Sequence, residues 1–316
     1  MERSVLFLPQ RTAFCLSQAV YDAADALCVT LLPPDADEQT RLAAIAEAEV
    51  LVGEPTLDAL TAAKKLRWLQ LTWAGAERYT GGGFPKDVLL TTASGAFGET
   101  IAEHAMAMLL ALCRRLPAYL RRNEWRDLGC EKSLSGATAL VFGTGDVGTQ
   151  IARRLKAFSA RVIGVCRNTK LPRPYFDALA TLDTAEAFLP EADFVIGALP
   201  HATQTAGYLS KQRLTLLKED AVLVNVGRGS FLDTAALCEC LRQKKLFGVG
   251  LDVFEEEPLP ESHPLRGFEN VVLTPHVAGI GFGHLPQTEQ RIWQLVAENL
   301  RRYQDGAPLL NRVVFP

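Results

Sequence analysis

The segment Ala139-Leu140-Val141-Phe142-Gly143-Thr144-Gly145-Asp146-Val147-Gly148 is an apolar run of strand length that breaks at a glycine and leads into a helical stripe, Ile151, Leu155 and Phe158. A chain turning this sharply from strand to helix needs special backbone. Gly143 permits the turn, Gly145 lets a pyrophosphate approach the backbone, and Gly148 lets the helix pack on the strand. Asp146 and Val147 then open a helix whose unpaired N–H groups and positive dipole end suit phosphate. The pattern predicts a βαβ unit that binds a dinucleotide.

The alternation continues in both directions. Downstream, strands are expected at 161–165, 193–197, 221–225, 247–251 and 270–273, with helices at 146–158, 232–243 and about 284–304. Upstream, strands are expected at 4–8, 28–32, 49–52, 67–71 and 88–92, with helices at about 14–27 and 37–47. Between the two series a long helix is expected from about Gly98 to Arg122. Ile101, His104, Ala105, Met108, Leu109 and Cys113 recur there at helical spacing, and Pro117 is expected to kink it. Short β-rich runs alternating with helices predict an α/β protein with parallel sheets covered by helices. At 316 residues the chain is long for one core, so two domains are expected.

Composition narrows the possibilities. Hydrophobic content of 48% and charged content of 22% are those of an ordinary globule. A net charge of −3 with no basic run points away from nucleic acid and from an anionic membrane surface. The longest apolar stretch, Ala105 to Cys113, is nine residues, against the roughly 20 that span a bilayer. The opening Met1-to-Pro9 run is too short for a secretory signal and reads as a first strand. Seven cysteines, at 15, 28, 113, 130, 166, 238 and 240, are scattered without a Cys-x-x-Cys. They read as reduced core thiols, with no metal site and a cytoplasmic setting, and Cys238 and Cys240 would face apart on a helix.

The strand Arg161–Val165 would, in a unit of this kind, normally be followed by an acidic residue for the adenosine ribose hydroxyls. Here Cys166 stands there, 18 residues past Gly148, and Arg167 follows. A carboxylate would repel a 2′-phosphate and a thiol does not. Arg167 and Lys170, with Asn168 and Thr169, suit that phosphate. NADPH is therefore expected over NADH.

Three more segments follow β-branched runs: Asn225-Val226-Gly227-Arg228-Gly229, Asp252-Val253-Phe254-Glu255-Glu256-Glu257-Pro258 and Thr274-Pro275-His276. In a doubly wound sheet the C-terminal strand ends line the ligand crevice. Of the five histidines, His104 falls in an apolar helical stripe and reads as a packed core residue. His201 lies in a loop that would border cofactor, His263 in a polar, Pro-rich loop, and His284 near the start of the last helix. His276 is the histidine at a strand end. Arg228, between two glycines, has room to reach a ligand, and its planar fork matches a carboxylate. Hydride arriving at a keto carbon leaves charge developing on oxygen, which a protonated imidazole stabilises and protonates. A carboxylate beside it orients the ring and raises its pKa. Glu257 is the candidate, with Glu255 and Glu256 open by spacing alone. This is the chemistry needed to interconvert a 2-hydroxy acid and a 2-keto acid.

The chain resembles the D-isomer-specific 2-hydroxyacid dehydrogenases over nearly its whole length. The resemblance is carried, in order, by Gly143 to Gly148, Leu199-Pro200-His201-Ala202-Thr203-Gln204-Thr205, Asn225 to Ser230, Leu251 through Pro258, and Thr274-Pro275-His276. It implies two doubly wound parallel-sheet domains, a Rossmann coenzyme domain (99–285) inserted in a flavodoxin-like substrate domain (1–98 and 286–316), with hinges near 100–122 and 284–304. Closure about such hinges would exclude water. It implies that Arg228 binds the substrate carboxylate, His276 is the acid/base and Glu257 its partner. Asp252 would hydrogen-bond the nicotinamide amide, Val226 to Arg228, including Gly227, would border the ring, and Leu199, Pro200 and Thr205 would line the cofactor. Leu71-Thr72-Trp73-Ala74-Gly75-Ala76 would bind the substrate carboxylate through backbone N–H groups near Ala74 and Gly75, with Trp73 narrowing the pocket or simply packing. A homodimer is implied.

Cys166-Arg167 stands where many relatives carry Asp, and looks like the NADPH-preferring glyoxylate/hydroxypyruvate reductases. Formate dehydrogenases share the architecture but carry glutamine where Glu257 stands, which argues against them. Phosphite dehydrogenase, or a non-catalytic NAD(P)-sensing protein of the same fold, are the alternatives.

Overall fold

The computed structural model describes residues 4–8 and 18–315. The chain forms two compact units, one drawn from residues up to Phe97 and from Ile280 onward, the other Gly98–Gly279.

The first unit is built on β1 (Val5–Leu8), β2 (Thr30–Leu31), β3 (Val50–Gly53), β4 (Trp68–Gln70) and β5 (Leu89–Thr91). All neighbours are parallel, in the order β2-β1-β3-β4-β5, so the winding direction reverses between β1 and β3. The helix expected over about 14–27 is described from Gln18 to Ala26; residues 14–17, with Cys15, lie outside the described residues. Strand β2 keeps only two residues of the five expected. Helix Glu38–Glu47 begins where Asp37 accepts the Thr40 N–H.

The last helix, Pro286–Gln304, returns to this unit and is stitched in by a buried polar chain. Trp68 Nε1 donates to Thr91 Oγ1 at 2.8 Å, and Thr91 donates to Gln70 Oε1 at 2.7 Å. Asn299 Nδ2 donates to the same Gln70 oxygen at 2.8 Å, and Asn299 Oδ1 accepts the Leu310 N–H at 2.7 Å. Phe7, Phe282 and Trp293 cluster beside it, and Val313 N–H bonds the Leu90 carbonyl beyond β5.

The second unit carries β6 (Thr138–Phe142), β7 (Arg161–Val165), β8 (Ala178–Ala180), β9 (Phe194–Gly197), β10 (Val222–Asn225), β11 (Gly248–Leu251) and β12 (Val271–Leu273). The parallel order is β12-β11-β10-β9-β6-β7-β8, and direction reverses between β6 and β9. Leu140, Phe142, Ile163, Val165, Val195 and Leu223 face one buried layer. Ala139, Val141, Val162, Phe194, Ile196 and Val222 face the other, with helix Gly98–Cys113. Burial on both faces explains why the interiors of these strands are apolar at consecutive positions rather than at alternate ones.

The long helix from Gly98 does not run to Arg122 with a kink. It ends at Cys113, Arg115 turns left-handed at φ 52°, and a second helix, Leu116–Leu120, starts with Pro117 in its first turn. Pro117 has no N–H for the Cys113 carbonyl and its ring would strike it. Lys132 N–H takes that carbonyl instead, at 3.0 Å. The cysteines also differ from a uniform core set. Cys113, Cys238 and Cys240 are buried, Cys166 is half-buried, and Cys28 and Cys130 are exposed. Burial pushes the Cys113 thiol up to about 11 and raises Cys238 and Cys240. Cys238 and Cys240, two apart on helix Thr234–Arg242, both belong to the same large core cluster.

Candidate active site

The parallel register sets Asn225 beside Leu251 and Leu251 beside Leu273. The segments leaving β10, β11 and β12 therefore emerge side by side at the C-terminal edge of the sheet.

Asp252, the first residue after β11, organises the next segment over. It is 1% exposed. Its Oδ1 accepts from Thr274 Oγ1 at 2.5 Å and from Val277 N at 2.9 Å, and its Oδ2 accepts from Ala278 N at 3.0 Å. Its carbonyl accepts the His276 N–H at 2.8 Å. The turn so held places His276 at φ 56°, a left-handed conformation that a residue with a Cβ keeps only when its surroundings impose it. The Asp252 carboxylate is thus largely engaged in shaping the turn.

His276 Nδ1 lies 2.8 Å from Glu257 Oε2. An ionised carboxylate only accepts, so Nδ1 carries the bridging proton and Nε2 is left for chemistry. Glu257 is itself oriented by Phe254 N–H, which donates to Oε1 at 2.9 Å. Glu255 turns away to accept from Thr234 N at 3.3 Å, and Glu256 is exposed. A cavity of about 510 Å³ lies against the pair, lined among others by Phe254, Leu259, Leu273 and Thr274.

Arg228 follows β10 in a loop closed by Asn225, whose side chain donates to the Arg228 carbonyl at 3.0 Å and accepts from Gly227 N at 3.1 Å. The guanidinium bonds the Gly227 carbonyl at 2.9 Å. The flanking glycines do more than leave room for this side chain. A Cβ on Gly227 would fall 2.6 Å from the Leu199 carbonyl oxygen, and one on Gly229 would fall 1.9 Å from Phe254 backbone. Both are needed so that the loop can lie against its neighbours.

At the other side of the winding reversal, Gly143 adopts φ 110° and Gly148 packs where a Cβ would fall 1.8 Å from the Gly143 oxygen. A Cβ on Gly145 would meet nothing within 4 Å. Helix Asp146–Ala157 starts there, with Val147 second. The Asp146 carboxylate is turned onto the Gly98 backbone, so its own contribution to the loop is the backbone N–H. Open space at Gly145 and a helix start fit a dinucleotide pyrophosphate. After β7, Cys166 Sγ donates to the Asn168 carbonyl at 3.3 Å, while Arg167 to Lys170 are exposed.

Leu199 is half-buried and Pro200 exposed in the loop after β9. Thr205 is buried and knots that loop, accepting from Ala202 N at 3.0 Å. His201 contacts Ser230 Oγ at 2.8 Å, joining this loop to the one after Arg228. Val226 is buried. His263 Nδ1 accepts the Leu265 N–H at 3.3 Å, and His284 is exposed in the first unit.

His104 is not the packed core residue its apolar stripe suggested. Its neighbours Ala105, Met108 and Leu109 are buried, but its own side chain is 26% exposed, with Nε2 at 3.0 Å from Thr274 Oγ1 and 3.8 Å from Asp252 Oδ1.

The segment Leu71–Ala76 belongs to the first unit, following β4. Thr72 gives its N–H and hydroxyl to Glu54 at 2.7 and 2.9 Å. Trp73 is 39% exposed, and Arg78 lies over its ring at 5.3 Å. Ala74 is exposed and Gly75 half-buried. Among the described residues there is no group of three or more metal-ligating side chains, and no helix is long and apolar enough to cross a membrane.

Residues 106–278 match the family described as D-isomer specific 2-hydroxyacid dehydrogenase, NAD binding domain. A glyoxylate reductase from Pyrococcus furiosus is 34% identical over 232 residues, covering 70% of this chain and 67% of the relative. The solved structure of a D-isomer specific 2-hydroxyacid dehydrogenase family protein from Aeromonas salmonicida is 31% identical, covers 100% of both chains and superposes with a TM-score of 0.86. A D-isomer specific 2-hydroxyacid dehydrogenase from Xanthobacter autotrophicus, solved with NADPH and MES, is 25% identical, covers 99% of this chain and 98% of that one, and has a TM-score of 0.81. The chain belongs to the D-isomer specific 2-hydroxyacid dehydrogenases and is a nicotinamide-dependent enzyme of that family.

Proposed function

We propose that this enzyme reduces a small 2-keto acid, of the glyoxylate or hydroxypyruvate type, to the D-2-hydroxy acid, using NADPH in preference to NADH. The observation that carries the reading is the 2.8 Å contact of His276 Nδ1 with Glu257, which leaves Nε2 to serve the substrate oxygen. The bound nicotinamide supplies the hydride. His276 gives its Nε2 proton to the oxygen as charge develops there, and Glu257 stabilises the imidazolium before transfer and keeps the ring aimed. Arg228 holds the carboxylate of the acid through its fork. Trp73, Ala74 and Gly75, in the other unit, are assigned to substrate binding.

The unit Gly98–Gly279 is assigned to the coenzyme and the other to substrate. Gly143, Gly145, Asp146, Val147 and Gly148 hold the pyrophosphate, with Leu199, Pro200, Thr205, Val226, Gly227 and Asp252 along the rest of the cofactor. Arg167 takes the 2′-phosphate. The exposed Arg167–Lys170 stretch and the thiol at Cys166 support NADPH, and a relative from Xanthobacter was solved with that cofactor. The glyoxylate reductase from Pyrococcus furiosus supports the substrate class. A homodimer and a cytoplasmic location complete the proposal.

The test is a 340 nm assay of small 2-keto acids crossed with NADH and NADPH. Fastest turnover with glyoxylate or hydroxypyruvate and NADPH is expected. Cofactor binding without turnover of any 2-keto acid would point to a sensor instead.

A further inference from the structure

The acid/base assignment leaves a second histidine unused. His104 projects from helix Gly98–Cys113 toward the turn that carries His276, and its contacts allow the protons to be placed. The ionised carboxylate of Asp252 is an acceptor only, so the hydroxyl of Thr274, 2.5 Å away, donates to it. That hydroxyl has one proton. It must therefore accept from His104, whose Nε2 lies 3.0 Å from it. The chain runs from His104 Nε2–H to Thr274 O–H to Asp252, and from Asp252 to the backbone N–H groups of Val277 and Ala278 on one side and, through its carbonyl, His276 on the other.

We propose that His104 is a positioning residue for the acid/base histidine, acting through Thr274 and Asp252. The proposal rests on the reading of His276 given above. With His104 donating, the Thr274 hydroxyl has one orientation, toward Asp252. Without it, the hydroxyl is released from that constraint and the buried carboxylate loses a polarised donor. The 274–278 turn, which holds His276 at φ 56°, is then less firmly imposed. Displacement of a reacting group by even an ångström lowers turnover, while the cofactor's phosphate contacts lie on another loop.

The experiment compares His104→Phe, His104→Gln, Thr274→Val and the double variant H104F/T274V in the full-length protein. It measures kcat, KM for the keto acid, NADPH Kd by fluorescence, and Tm. Phe keeps the ring without the donor, and the Gln amide nitrogen can reach where Nε2 was. Phe and Val are each expected to lower kcat by about tenfold with Kd changed less than about threefold. Gln should restore most of the loss, and the double variant should be no worse than about either single one, because both cut the same chain.

Wild-type kcat in His104→Phe, or losses that multiply in the double variant, would overturn the proposal. Should His104→Phe fail to fold, Thr274→Val decides alone, and wild-type kcat there sinks the idea. His276→Ala separates the two levels. If it retains activity, the acid/base assignment itself fails; if it is inactive while His104→Phe and Thr274→Val are normal, only the positioning role fails.

Discussion

Glu257 and His276 come from segments following different strands, yet their Oε2 and Nδ1 atoms meet at 2.8 Å. The contact fixes the tautomer of the imidazole, and with it which nitrogen remains outside the pair. His276→Ala should lower kcat by at least about 10²-fold, the usual scale for a lost general acid, with cofactor still bound. Glu257→Gln should also lower kcat, and should alter the pH profile of kcat/KM. Steady-state kinetics across pH measures both, and unchanged profiles would count against the pairing.

Arg228→Lys replaces a planar fork by a point charge. Keto-acid KM should rise and kcat fall, by roughly tenfold or more in kcat/KM, if the carboxylate is held bidentately. Cofactor Kd, read by fluorescence, should stay near wild type.

Cofactor choice is tested by reciprocal changes in one loop. Arg167→Ala should raise the NADPH KM and leave that of NADH nearly unchanged. Cys166→Asp should favour NADH, because a carboxylate at the end of β7 repels a 2′-phosphate. A wild-type kcat/KM for NADH at or above that for NADPH would refute the preference.

Gly229→Ala probes backbone packing near the site. The new Cβ would fall 1.9 Å from the Phe254 backbone, so the 254–257 segment must move and Glu257 with it. Tm should drop, consistent with an overpacking cost of about 1–3 kcal/mol, and kcat should fall as well. Calorimetry and kinetics on the same preparation would show whether the two effects travel together.

Asp193 gives a pH test of stability. Burial pushes its carboxyl up, but the Lys218 ammonium at 2.7 Å and the Thr138 N–H at 2.9 Å outweigh that and hold it below the ordinary range. A group lowered in the folded state contributes stability above its unfolded pKa and loses it as pH falls through the folded value. Asp193→Asn should therefore cost about 1 kcal/mol at neutral pH, with the difference from wild type shrinking below about pH 4. Urea midpoints at pH 7 and pH 3 measure it.

Strands β6 and β7 could be read from the sequence because each carries four consecutive buried apolar or glycine residues, 139–142 and 162–165, behind a polar first residue. Strand β8, Ala178-Leu179-Ala180, was not legible, since alanine and leucine carry no β preference and its pairing with β7 comes from the tertiary fold. The helix break was misplaced at Pro117 because a proline acts on the carbonyl four residues earlier, so the helix had already ended at Cys113. Within the site, three consecutive glutamates could not be separated by spacing; the turn geometry around Phe254 is what distinguishes Glu257. His104 was hidden for a different reason. Its hydrogen-bond partner Thr274 is 170 residues away, and the residues that share its helical stripe in sequence, Ile101, Ala105 and Met108, are apolar.

The buried Gln70–Asn299 link has a consequence for how the protein is made. Strands β1 to β5 leave the ribosome early, but the helix that covers part of their sheet, Pro286–Gln304, emerges only after all of Gly98–Gly279. The inserted unit has its whole sequence available first and can close while Gln70 still waits for Asn299 and Trp68 for Tyr303. During synthesis the sheet left partly uncovered therefore belongs to the earlier-made of these two units, and its completion waits for residues 286–304.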